Sequence, residues 1–218
     1  MPPKPKNTKE AVIQSALSIV RQAGPEALTA RNIGKQLHAS PSTIFTHFAS
    51  MEQVLNETVE AAREIYETYV QRGLGLTPPF KGFALEVIHF AAEEPKLFAL
   101  LFMNPGDADN IGDVLGMEGH NAQILEAVTR TFQLDTEKAG KLYHDLWIYC
   151  HGIATLTATG VCSFSDKELS LMLGNACRGF LMVLQAPEDD RTGIVPQPGA
   201  QIPGDMETYF QMTGGGDS

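Results

Sequence analysis

Residues 29–48 read TARNIGKQLHASPSTIFTHF, and this pattern predicts two short helices joined by a tight turn. Thr29 can cap the first helix, because its hydroxyl can accept from a backbone N–H two or three residues further on. Ala30, Ile33, Gly34 and Leu37 then fall at i, i+3, i+4 and i+7, the spacing of one buried helical face. His38-Ala39 makes the turn. Ser40-Pro41 restarts the chain as a helix, with Ser at the cap and Pro at the first helical position, where its missing N–H costs nothing. In the second helix, about 41–48, the expectation is that Ile44, Phe45 and Phe48 point inward and that Ser42, Thr43, Thr46 and His47 stay outside. A short helix with hydroxyls and an imidazole on its free face fits a major groove and can hydrogen-bond base edges. The same pattern also describes a packed helix pair in an all-α protein.

The charge distribution favours the first of these readings. The 218-residue chain carries a net charge of −10, which argues against a general nucleic-acid binder. Its first fifty residues nevertheless hold Lys4, Lys6, Lys9, Arg21, Arg31 and Lys35 against Glu10 and Glu26. A basic head on an acidic body approaches DNA in one orientation. Hydrophobic content of 43% and charged content of 19% are those of a globular protein. Cys150, Cys162 and Cys177 have no metal-type spacing and suit a reducing cytoplasm. There is no apolar run after the basic N-terminus and no stretch of about 18 apolar residues, so neither a signal peptide nor a membrane span is expected.

Along the chain, residues 1–7 read as a flexible basic arm. Asn7 and Glu10 can form a capping box for a first helix with Ile13, Ala16, Leu17 and Val20 inward, ended by Gly24-Pro25. A second capping box, Ser50 to Gln53, opens a long helix to about Arg72, with Val54, Leu55, Val59, Ala62, Ile65, Tyr66 and Tyr69 on its inner side. Residues 73–79, GLGLTPP, read as a hinge or loop. Helices follow at 80–94, 95–103 and 120–133, around a Gly- and Asp-rich loop at 104–119. Two long helices, about 136–161 and 166–185, close the folded part. The first is apolar on two faces, Leu142, Leu146, Tyr149, Ile153 and Leu156 on one, and Tyr143, Trp147, Cys150 and Ala154 on the other. The second opens at the capping box Ser165 to Glu168 and carries Gly174 and Gly179 in its interior. These features predict a homodimer surface, a four-helix bundle across a two-fold axis; a thick monomeric core is the simpler alternative. Residues 186–218 are too poor in apolar side chains to fold alone and read as a flexible tail.

The run from Thr29 to Phe48, with Glu52-Gln53-Val54-Leu55 after it, resembles the N-terminal helix-turn-helix domain of TetR-type transcriptional regulators over roughly residues 8–66. The resemblance implies a DNA-binding domain at 8–66 and a helical ligand-binding and dimerisation domain at 67–185. It implies Thr43, Thr46 and His47 at bases, and Thr29, Arg31, Ser40 and Ser42 at phosphates, with Phe45 beside the DNA backbone. The chain departs from the usual pattern at three places. His38-Ala39 stands where Gly-Val is usual, Phe45 where Tyr is, and Met51 where a phosphate-binding Lys is. Two backbone contacts are therefore lacking, which motivates an alternative: a sensor or carrier with weakened DNA binding that acts through a protein partner.

Trp147, followed by His151-Gly152, together with residues 82–98, is similar to the Trp…His-Gly (WHG) class of TetR-type C-terminal domains. That class implies a helical dimer domain without catalytic role and leaves the effector open. Read from the residues themselves, Phe83, His89, Phe90, Phe98, Phe102, Met103, Tyr143, Trp147, Cys150 and His151 could wall a pocket for a small apolar molecule. They could equally form an ordinary core. His144 and His151 lie about 10.5 Å apart along a helix, too far for one ion, so no metal or other cofactor is expected. No G-x-S-x-G motif or phosphate loop is present, and Cys150 and His151 diverge by about 100°, so no enzymatic activity is expected. The expected partners are a palindromic double-stranded DNA operator, a second copy of the chain and a small-molecule effector. A ligand-released repressor is the function that joins them.

Overall fold

The structure, a computed structural model, describes residues 8–103 and 121–186. Packing divides the chain into a unit of residues 1–181 and a unit of residues 182–218. The arm at 1–7, the loop at 104–119 and the tail from 187 lie outside the described residues. Among the described residues the regular elements are helices, so the fold is all-α. In order they are α1 (Lys9–Ala23), a 3-10 turn (Pro25–Ala27), α2 (Ala30–Leu37), α3 (Pro41–Ile44), α4 (Met51–Leu74), α5 (Pro79–Glu93), α6 (Pro95–Phe102), α7 (Asn121–Phe132), α8 (Thr136–Ala158) and α9 (Asp166–Gln185).

Local chemistry explains where these helices begin. Thr8, rather than Asn7, caps α1: its Oγ1 accepts from the Ala11 amide at 3.2 Å. Thr29 and Ser50 cap α2 and α4 in the same way, each accepting from the amide three residues on at 3.2 Å. The Ser50 box reaches one residue further back than expected, since Gln53 Oε1 accepts from the Ala49 amide at 2.7 Å. Ser165 and Glu168 close a reciprocal box, with the Glu168 carboxylate accepting from both the Ser165 amide and hydroxyl at 2.7 Å.

Val12, Ala16, Ile19, Ile33, Ile44, Phe48 and Val54 form the buried core of the N-terminal head. Met51 packs on this cluster from α4, with Leu28, Ala30 and Leu37 beside it. The core therefore draws on α1, α2, the 41–48 segment and the first turn of α4. Further along, α4 lays Tyr66 and Tyr69 against Phe90 of α5, with ring centroids 5.2 Å apart in both pairs.

Three expectations about α4 and its surroundings change. Leu55 is exposed rather than part of the inner side. The helix runs on to Leu74, so Gly73 is helical and is not part of a hinge. A Cβ on Gly73 would lie 2.7 Å from the Gly82 carbonyl oxygen and from the Phe83 Cα. The two glycines thus bring the backbones of α4 and α5 into direct contact, an approach that any side chain would block. In α8 the expected double burial is partial. Leu142, Tyr143, Leu146, Trp147, Cys150, Ile153 and Ala154 are buried, whereas Leu156 and Ile148 are exposed.

Candidate nucleic-acid interface and ligand cavity

The head presents one polar tip. Within α2, Gly34 lets the turn fold back closely: a Cβ there would sit 2.9 Å from the Ala39 carbonyl oxygen. His38 ends α2 in the left-handed region at φ 53°, and the Ala39 amide donates to the Gly34 carbonyl at 2.9 Å. Regular α-helix then extends from Pro41 only to Ile44. From there to His47 the chain tightens into i→i+3 turns, with Thr46 N donating to Thr43 O at 3.2 Å and His47 N to Ile44 O at 3.0 Å, before Phe48 N also donates to Ile44 O at 3.2 Å. The expected helix 41–48 is therefore half α-helix and half turn. Ile44 and Phe48, 1% and 2% exposed, anchor its two ends in the core.

Phe45 corrects the sequence expectation. Its side chain is 48% exposed rather than turned inward. The tightened turn places it on the outer side between the two anchors, next to Thr46 and His47, which are also exposed. Thr29, Arg31, Ser40 and Ser42 are exposed as well, and Thr43 is half-buried. The Ser40 and Ser42 hydroxyls are 2.8 Å apart, and the Thr46 hydroxyl donates to the Thr43 carbonyl at 2.7 Å. With its proton so engaged, the hydroxyl of the exposed Thr46 keeps its capacity as an acceptor. Arg31 forms no ion pair among the described residues and remains available to an anion.

The second feature is a cavity of about 150 Å³ between the start of α5, the end of α7, α8 and α9. Four of the ten expected pocket residues line it: Phe83, Tyr143, Trp147 and Cys150. Phe80, Phe132, Leu146 and Leu173 complete its apolar wall, with Lys81, Gly174 and Cys177 also bordering it. The Cys150 thiol donates to the Ala84 carbonyl at 3.3 Å, and burial pushes the Cys177 thiol above its usual pKa.

The other expected residues lie elsewhere. Phe90, Phe98, Phe102 and His151 join Tyr66 and Tyr69 in an aromatic cluster, with neighbouring rings 5.1–6.5 Å apart. His151 stacks on Trp147 at 3.7 Å, so Trp147 is shared between cluster and cavity. Among the described residues, neither His151 ring nitrogen has a hydrogen-bond partner. Burial pushes its pKa down to about 4; the Trp147 carbonyl offsets a little of this without completing a bond. His89 is outside both groups and bonds Asp166 at 2.9 Å, with Glu86 at 3.5 Å on its other nitrogen. Met103 is exposed at the end of α6. Reading single residues missed the α9 wall and Phe80, although the apolar periodicity of both helices contained them.

Two family descriptions match the chain. Residues 12–58 match the bacterial regulatory proteins of the tetR family, and residues 80–172 match a tetracyclin repressor-like C-terminal domain. No curated protein matches it. Among solved structures, it is similar in fold to a protein from Mesorhizobium loti described as a TetR-family transcriptional regulator. Identity is 20%, the TM-score is 0.50, and the match covers 81% of this chain and 98% of that one.

Proposed function

Because the chain belongs to the TetR family, as its two family matches show, and is a DNA-binding transcriptional regulator, we propose that it acts as a homodimeric repressor released by a small apolar effector. The observation that carries this reading is the reach of α4. One continuous helix holds Val54 in the head core, Tyr66 and Tyr69 against α5, and Gly73 at the α4–α5 crossing. A shift of α5 caused by a guest in the cavity would pass along α4 to the head. Couplings of this kind are about 1–3 kcal/mol, enough to lower operator affinity about five- to 150-fold.

Thr43, Thr46 and His47 would read bases, while Thr29, Arg31, Ser40 and Ser42 would hold phosphates and Phe45 would pack on the DNA backbone. Two such heads would enter successive major grooves about 34–36 Å apart. Support for pairing through α8 and α9 comes from their outer sides. Ile148, Leu156 and Leu171 are exposed, and a Cβ on Gly152 or Gly179 would meet nothing within 4 Å. A glycine inside a helix is less favourable than alanine by about 1 kcal/mol. Packing among the described residues does not require these two, whereas close approach of a second copy would.

The alternative, a sensor with weakened DNA binding acting through a protein partner, is not favoured. Met51 packs against the head core, and Thr46 and His47 stay exposed beside the exposed Phe45. The test compares Thr46→Ala and His47→Ala with the wild type on a DNA fragment that the protein selects. Loss of sequence preference with an intact dimer in gel filtration is expected. Unchanged preference in both variants would remove these residues from the reading role.

A further inference from the structure

The cavity has features that narrow its guest, and the following step rests on reading it as the effector site. We propose that it takes an uncharged, flat, single-ring aromatic molecule, and that Gly174 on α9 is the seat against which the ring lies. The pocket is apolar and partly open, and its volume of about 150 Å³ matches that of an apolar cavity that accepts a molecule such as benzene. Its aromatic walls meet edge to face. Phe80 and Phe132 are 6.3 Å apart at 88°, and Phe80 and Tyr143 are 6.4 Å apart at 73°. Such an arrangement offers ring faces and edges to a further aromatic ring.

Charge is disfavoured on both sides. No carboxylate borders the cavity among the described residues, so a cation would find no partner. Lys81 is the charged residue at its edge, and a half-buried lysine keeps its ammonium in water while its stem covers apolar surface. An anion among the aromatic walls would lose its hydration for a lining that is almost wholly apolar.

Gly174 lies in the interior of α9 and borders the cavity, yet a Cβ there would meet nothing within 4 Å among the described residues. Unlike Gly73, it permits no contact between backbones of this protomer, and unlike Gly179 it is half-buried rather than exposed. Its bare backbone widens the space between α9 and the aromatic walls, and a methyl group would narrow it.

The test uses the full chain as wild type, Gly174→Ala and Gly174→Leu, with toluene, methylcyclohexane, phenylacetate and benzyltrimethylammonium as probes. Trp147, the single tryptophan of the chain, lies in the cavity wall and reports binding by its fluorescence, with thermal unfolding as a second readout. The expected result is saturable binding of toluene to the wild type, at least tenfold tighter than that of the other three. Without probe, Gly174→Ala unfolds about 2–4 °C higher, because alanine favours the helix and fits the open space. It binds toluene about tenfold more weakly, and Gly174→Leu does not bind it. Equal toluene affinity in all three proteins, or a lowered midpoint in Gly174→Ala, overturns the role of Gly174. Equally tight methylcyclohexane or charged probes overturn the ligand class and leave the effector cavity standing. If no probe perturbs Trp147 in the wild type, the effector reading falls together with this inference.

Discussion

Arg21 and Glu94 are joined by two parallel hydrogen bonds, Nε to Oε2 at 2.8 Å and Nη2 to Oε1 at 2.7 Å. They tie the last turn of α1, in the head, to the junction between α5 and α6, 73 positions away in the chain. The head is thus held at two places, by α4 and by this fork. The planar fork favours one orientation more than a lysine would. Arg21 is 40% exposed, so solvent screens the pair and its contribution is expected to stay below about 1 kcal/mol. A double-mutant cycle with Arg21→Gln and Glu94→Gln, by urea unfolding, should give a coupling of about 0.5 kcal/mol that shrinks in 1 M salt. A coupling that salt leaves unchanged would show that the pair does not act electrostatically.

Gly82→Ala should be among the most damaging small substitutions in the protein. The new methyl would collide with the Gly73 carbonyl, a backbone atom that cannot rotate away. Overpacking of this kind typically destabilises by about 1–3 kcal/mol. Urea unfolding measures the loss, and a neutral or stabilising effect would contradict the close crossing of α4 and α5.

His38→Gly should act in the opposite direction. The residue sits at φ 53°, where a side chain is strained by about 1–2 kcal/mol and glycine is not. Part of that gain is lost to the greater freedom of glycine in the unfolded chain. A net stabilisation of about 0.5–1 kcal/mol is expected in thermal unfolding. Destabilisation would indicate that the imidazole makes a contact that offsets the backbone strain.

The two buried-side histidines should give stability opposite dependences on pH. His151 has a folded pKa of about 4, lowered by burial, against about 6.5 unfolded. The unfolded chain takes up its proton first, so stability falls as pH drops from 6.5 towards 4, by about 3 kcal/mol in all. For His89, burial alone lowers the pKa, but the hydrogen bond and charge of Asp166, with Glu86, outweigh it and the net shift is upward. Its contribution is full below the unfolded value and is lost as pH rises through the folded one. Unfolding midpoints between pH 4 and 8 should show a flatter acid side for His151→Phe and a flatter neutral side for His89→Gln.

How much of this was legible beforehand depends on the range of the interaction. Thr29, Ser50 and Ser165 were readable as caps because a cap and its amide lie three residues apart. The head core was readable because Ile33, Ile44 and Phe48 follow helical spacing. Phe45 was misread because that spacing assumes a regular helix through 48, whereas the chain tightens after Ile44. The cavity mixes side chains from four helices, so of its lining only Phe83, Tyr143, Trp147 and Cys150 stand out in the sequence. The close contact of Gly73 with Gly82 depends on how α4 and α5 cross, and glycine in a Pro-rich stretch reads locally as a loop.

Whether the 29–48 tip reads DNA as one half of a symmetric pair can be measured by selecting fragments of sheared genomic DNA with the purified protein at two salt concentrations. Enrichment of a short near-palindrome is expected, with half-sites about 10 base pairs apart and affinity falling at a log–log slope of about −0.9 per phosphate neutralised. Failure to enrich any sequence, even at low salt, would contradict that role of the tip.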